Sequence, residues 1–171
     1  MTFLELAKDR WSVRSFRQEP VQEAHMQKIL EAGHVAPTAC NYQAQRIFIA
    51  KSEDARRKLA SVCRCTFDAP VILVVGYDRT RDWKNKLQPG CESGETDAAI
   101  VCTHMMLEAW ELGVGSCWVG YFNSDRVAEV LGLPENVKVC ALLPMGYPAE
   151  DAKPLPLHSQ FRPMEETVSE I

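Results

Sequence analysis

The sequence predicts an α+β fold with a mixed central sheet wrapped by helices, and three observations carry that expectation. Pro70–Tyr77 (PVILVVGY) is a continuous apolar run of strand length, rich in β-branched residues, as expected of a strand buried on both faces. Thr96–Leu112 (TDAAIVCTHMMLEAWEL) is apolar around most of a helical circumference, which marks a core helix covered on several sides. Shorter helical and strand patterns are interspersed in mixed order, and a chain of 171 residues has the length of one ordinary domain.

Along the chain, Thr2–Ala7 starts a short helix, with Thr2 as cap and Glu5 three residues on. Val21–His34 spaces Val21, Ala24, Met26, Ile29 and Leu30 among charges, an amphipathic helix that ends near Gly33 and the Pro37 loop. Arg46–Lys51 reads as a strand, and Glu53–Ser61 as a helix capped by Ser52. Arg79–Glu95 is polar, carries Pro89, Gly90 and Gly94, and reads as a loop. Gly113 is the expected C-cap of the core helix. Ser116–Tyr121 reads as a strand, Asp125–Leu131 as a helix capped by Ser124 and ended by Gly132 and Pro134, and Val137–Leu143 as a further strand.

After Tyr147 the texture changes. Pro148, Pro154, Pro156 and Pro163 exclude a helix, while Leu155, Leu157 and Phe161 are too apolar for a free tail. An extended arm over 148–171 resolves the conflict, laid either on its own chain or over a partner.

Composition excludes several classes. A net charge of −4 argues against nucleic acid as the main partner, which needs a basic surface. No stretch has the ~18 apolar residues of a membrane helix, and MTFLELAKDR lacks the layout of a signal peptide. Seven cysteines without a CxxC or HxxxH pair read as reduced, mostly buried thiols rather than a metal site, and with the other signs place the protein in the cytoplasm. There is no GxGxxG after a strand and no GxxxxGK[ST]. The four histidines are scattered, Cys40 has no assigned base, and no Ser/His/Asp set or carboxylate pair stands out, so no catalytic side chain is assigned.

Three segments are left to carry chemistry. In Arg10-Trp11-Ser12-Val13-Arg14 an extended backbone puts Arg10, Ser12 and Arg14 on one face, with Trp11 and Val13 opposite. Two guanidinium forks and a hydroxyl suit a phosphate dianion, although two arginines also suit a solvated edge. Ala36–Gln43 is a loop of small residues in which Asn41 offers donor and acceptor to a flat polar heterocycle, or is an ordinary turn. Gly113–Gly120 (GVGSCWVG) brings backbone close to something, a ligand or a packed neighbour, and Trp118 is either core or a stacking ring.

In this order and at these separations the segments resemble the nitroreductase family, over Phe3–Val168. Arg10, Ser12 and Arg14, followed by Phe16, match its opening Arg-x-Ser-x-Arg pattern. Pro37, Thr38, Ala39 and Asn41 match its Pro-Ser/Thr-(Ala/Ser)-x-Asn loop. Asp97–Leu112 with Gly113-Val114-Gly115 and Trp118-Val119-Gly120 resembles its central helix and following strand, and Met145–Pro148, Arg162-Pro163 and Glu165-Glu166 its C-terminal end. The resemblance implies a homodimer whose C-terminal arms cross the partner, with two FMN molecules at the interface. Arg10, Ser12 and Arg14, with Trp11 among them and Arg162 joining from the tail, would hold the phosphate and ribityl end. Pro37, Thr38, Ala39 and Asn41 would line the flavin of the other chain, and the backbone of Trp118, Val119 and Gly120 would lie beside its ring.

The resemblance further implies electron transfer from NAD(P)H through the flavin to a nitro compound, quinone or similar small-molecule acceptor by ping-pong exchange. The alternatives are an FMN carrier or sensor, or an FMN enzyme with another donor and acceptor. Larger members carry an acidic residue where Val119 falls and an Asn/Lys pair that Val62–Cys65 does not reproduce. The Asp82–Ser93 loop, with Trp83, is a lid by position.

Overall fold

Val71–Asp78 (β2) is buried at all eight positions because both of its faces are covered. The computed structural model describes residues Met1–Ile171. Around β2 it arranges α1 (Phe3–Asp9), α2 (Glu23–His34), β1 (Gln45–Ala50), α3 (Glu53–Val62), α4 (Gly94–Glu111), β3 (Gly115–Ser116), α5 (Ser124–Leu131) and β4 (Val137–Gly146). The sheet order is β1-β2-β4-β3.

Alternation along β2 divides the core. Val71, Leu73 and Val75 pack with α2 and α4 through Met26, Ile29, Val101 and Met105. Ile72 and Val74 face the opposite way, toward Leu59 of α3 and Val127 of α5. β4 serves both cores through a bulge: Val75 pairs with Ala141 but Gly76 with Val139, which leaves Cys140 unmatched. The extra residue flips the parity, so Val139 and Leu142 share one face while Ala141, Leu143 and Met145 take the other. Glycine is required at position 76, where a Cβ would lie 2.2 Å from the Lys138 carbonyl oxygen.

The α+β class holds, but the expected mixed sheet is antiparallel in all three ladders. Its one parallel element is a single bridge, Ser12 to Ser116. Apolar patterning reports which faces are buried and carries no information on strand direction. The strand expected over Ser116–Tyr121 is reduced to β3 and an isolated Val119–Leu142 bridge. Cys117 donates to the Pro144 carbonyl at 3.1 Å, and Pro144 has no N–H to return the bond.

The cap expected at Ser124 is Asn123, whose side chain accepts from the Arg126 amide at 3.0 Å. Ser124 instead accepts from the Val139 amide at 3.1 Å and ties α5 to β4. The expected capping box of Thr2 and Glu5 is present, as is the Ser52 cap. The expected loop over Arg79–Glu95 gives way to α4 from Gly94. Its two limbs are pinned where Lys84 bridges Asp82 and Glu92, both at 2.7 Å, and where the Ser93 amide donates to Trp83 at 3.0 Å. Residues 148–171 form short turns, Pro156–Ser159 and Met164–Glu166, on an otherwise irregular tail with Leu157, Phe161 and Met164 exposed. No helix is long and apolar enough to cross a membrane.

Candidate functional site

The segment after α1 is laid along the β3 edge. The Val13 amide donates to the Ser116 carbonyl at 2.9 Å, Arg17 to Tyr147 at 2.9 Å, and Ala149 returns a bond to Ser15 at 3.1 Å. Val13 is fully buried and Phe16 nearly so, and these two apolar anchors set the phase of the segment. The approach is close because residue 115 is glycine: a Cβ there would sit 2.5 Å from Val13 Cγ2.

This phase delivers Arg10, Ser12 and Arg14 to one cleft of about 300 Å³, as the alternation predicts. Trp11 lines the same cleft rather than facing away, because the segment makes single bridges and is not a regular strand. The Trp11 ring meets Trp110 edge to face at 6.0 Å, and Trp110 Nε1 donates to Asp9 at 2.9 Å. Two cleft residues had no sequence signal of their own: Lys8, from the last turn of α1, and His158, from the tail. Leu155, Leu157 and Phe161 complete an apolar wall. No carboxylate lines the cleft, so its charged side chains are all cationic. Beneath it, burial pushes the Cys117 thiol up, against the pull of Arg14 and Arg10. Arg162 is exposed and does not line the cleft.

The second segment lies apart, at the other end of α4. Pro37 and Asn41 are exposed, Thr38 and Ala39 half-buried. Cys40, Asn41 and Gln43 have φ of 48°, 55° and 50°, a cluster of left-handed residues without glycine. What holds it is Asp97, nearly fully buried, which accepts from the Ala39 amide at 3.0 Å and from Ser93 Oγ at 2.7 Å. Thr38 Oγ1 accepts from the Gln43 amide at 3.1 Å. Asp97 has no functional signature in the sequence, since an acid in a first helical turn is ordinary.

The third segment is split. Val119 is buried, and both of its backbone groups are spent on Leu142, at 2.9 and 3.0 Å. Trp118 is half-buried against the α2/α4 core. Gly120 is exposed, and a Cβ there would meet nothing within 4 Å, so the chain itself does not require glycine and the backbone face stands open. No group of three or more His, Cys, Asp or Glu side chains is placed to hold a metal ion.

Comparison with known proteins bears on the family and the fold. The model of the Nitroreductase family matches residues 7–68 and 63–147. An NADH dehydrogenase of Thermus thermophilus is 29% identical, over 85% of this chain and 86% of that one. A nitroreductase family protein of Clostridium difficile 630 superposes with a TM-score of 0.92 at 35% identity, covering 99% of this chain and 98% of that chain. A protein of Desulfovibrio desulfuricans solved in complex with FMN superposes with a TM-score of 0.83 at 27% identity, covering 98% and 95%.

Proposed function

The chain belongs to the nitroreductase family, and from that membership we propose that it is an FMN-dependent oxidoreductase that passes reducing equivalents from NAD(P)H to a nitro compound, quinone or similar small acceptor. The observation that carries the reading is the cleft: Arg10 and Arg14 converge with Ser12 and Lys8, with no carboxylate in the lining. That donor set fits a phosphate dianion through charge-assisted hydrogen bonds, and the apolar wall and Trp11 fit the less polar stem behind it. FMN, when bound, supplies the redox chemistry.

The chain's own part is binding, orientation and exclusion of water. Arg10, Ser12 and Arg14 anchor the phosphate end. Trp118 and Gly120 offer backbone beside the ring, whereas Val119, already bonded on both sides, contributes only bulk. Pro37, Thr38, Ala39 and Asn41, lying away from the cleft, line the flavin held by the other protomer. The working unit in this reading is a homodimer of a single domain over 1–171. Support comes from the unpaired outer edge of β1 and from the exposed Phe3, Leu157, Phe161 and Met164, surfaces that call for cover. Seven free thiols suit a reducing cytoplasm.

The test is the visible spectrum of the purified protein before and after anaerobic NADH or NADPH. Flavin bands that bleach within seconds support the reading and identify the donor. Bands that persist point to a different donor or to a carrier, and a colourless protein that FMN does not reconstitute overturns it.

A further inference from the structure

We infer that Arg56 heads a further small-molecule site, a cleft between α2, β1 and α3 that takes a carboxylate carrying a compact apolar body. The cleft encloses about 320 Å³, a size that suits a small ligand. It shares no residue with the cleft of Arg10 and Arg14, and neither the 37–43 loop nor Trp118–Gly120 lines it. Pro20, Val21, Met26, Ile49, Pro70 and Val71 form its apolar wall. Gln18, Glu23, Lys51 and Arg56 form its polar side.

Arg56 is the observation that points to an anion. It is half-buried, and its Nε is closed off from solvent without a hydrogen-bond partner. Its neighbours on α3 are paired, Arg57 with Asp54 at 3.6 Å and Lys58 with Asp54 at 2.9 Å, but Arg56 makes no ion pair. A guanidinium withdrawn from water is ordinarily matched by an anion. Glu23, the one carboxylate in the lining, has a side chain 86% exposed and stands 4.0 Å from Lys51, at the mouth of the cleft. Lys51 offsets it, which leaves Arg56 as the net charge facing the apolar wall. One planar fork matches one planar carboxylate, whereas a phosphate dianion calls for the several donors that Arg10, Ser12 and Arg14 supply elsewhere. The wall is also held in advance. Phe67 and Asp68 have φ of 54° and 49°, and Gln18 Nε2 donates to the Asp68 carbonyl at 3.1 Å. Left-handed backbone without glycine persists where surrounding bonds over-determine it, and here the bond comes from a residue of the cleft.

The experiment is isothermal titration calorimetry of the full-length protein, with and without excess FMN, against 4-methylpentanoate, 4-methylpentanamide and acetate. The expected result is one site per chain for 4-methylpentanoate, with the same affinity whether or not FMN is present. The amide lacks the charge and acetate lacks the apolar body, so each binds about tenfold more weakly or worse. Arg56→Gln loses about tenfold or more in affinity for the acid and no longer prefers it to the amide. Ile49→Asp, on the exposed edge strand, sets a like charge against the ligand and loses the acid by a second route. Failure of the parent to bind 4-methylpentanoate overturns the inference, as does equal affinity in Arg56→Gln. Binding that FMN abolishes places the acid in the Arg10–Arg14 cleft and overturns it too.

Discussion

The Asp97 carboxylate accepts the backbone amide of Ala39 at 3.0 Å, across 58 residues of sequence, and so fastens the 37–43 loop to the first turn of α4. The loop's left-handed residues at 40, 41 and 43 persist because this bond and the Thr38–Gln43 bond over-determine it.

Replacing Asp97 by alanine leaves the Ala39 amide and the Ser93 hydroxyl without their acceptor. Each unsatisfied group costs about 1–3 kcal/mol. The expected result is a loss of about 2–4 kcal/mol in urea unfolding, together with weaker FMN binding. Asp97→Asn, which keeps one acceptor oxygen, falls between. Equal stability of Asp97→Ala and the parent would refute the fastening role.

Two glycines make a matched pair. Gly115→Ala drives a methyl group into the stiff, buried Val13, so the segment bearing Arg10 and Arg14 has to shift. The expected cost is about 1–3 kcal/mol with loss of FMN. Gly120→Ala meets no protein atom, so its melting temperature stays within error of the parent while flavin affinity falls. Calorimetry and fluorescence titration of both variants separate packing from ligand approach.

Asp78 gives an acid-range prediction. Its Oδ1 accepts from Thr80 Oγ1 at 2.6 Å and from the Thr80 amide at 2.9 Å, and with Asn136 these bonds hold the carboxyl down at about 2. A depressed folded value contributes stability that is complete above the ordinary value near 3.8 and is lost as pH falls through about 2. Between pH 4 and pH 2 the melting temperature of the parent should drop more steeply than that of Asp78→Asn. Parallel curves would show that the bonds do not distinguish the two protonation states.

Thiol reactivity should split by burial. Burial pushes Cys102 up to about 12 and Cys140 up to about 11, so neither forms much thiolate at pH 8. Cys91 is exposed on the 79–93 loop. Iodoacetamide on the native protein, followed by peptide mass analysis, should alkylate Cys91 quickly and Cys102 only after unfolding. Labelling of both at one rate would contradict the packing of α4 on β4.

What was legible in the sequence were features fixed by local chemistry or by periodicity. Thr2 and Glu5 announce a helix start because both bonds of a capping box lie within four residues. Val71–Tyr77 announces a doubly covered strand because no polar residue interrupts it. Arg10, Ser12 and Arg14 share the cleft because Val13 and Phe16 are the buried anchors. The rest depends on partners distant in sequence. Asn123 and Ser124 are both good caps in adjacent positions, and the choice falls to Asn123 because Val139 claims the serine. Asp97, Lys8 and His158 acquire their places from Ala39, the end of α1 and the tail turn, none of which has a sequence pattern that points to them.

Helix α4 connects the 37–43 loop to the Arg10–Arg14 segment. Asp97 at its first turn holds the 37–43 loop. Trp110, near its other end, packs on Trp11, and the turn at Gly113 leads into the strand that carries the Arg10–Arg14 segment. Its 18 residues make a rod about 27 Å long. One added or deleted residue within it would rotate one end against the other by about 100°. The helix is thus a gauge block: it sets both the spacing and the angular phase of the 37–43 loop and the Arg10–Arg14 segment.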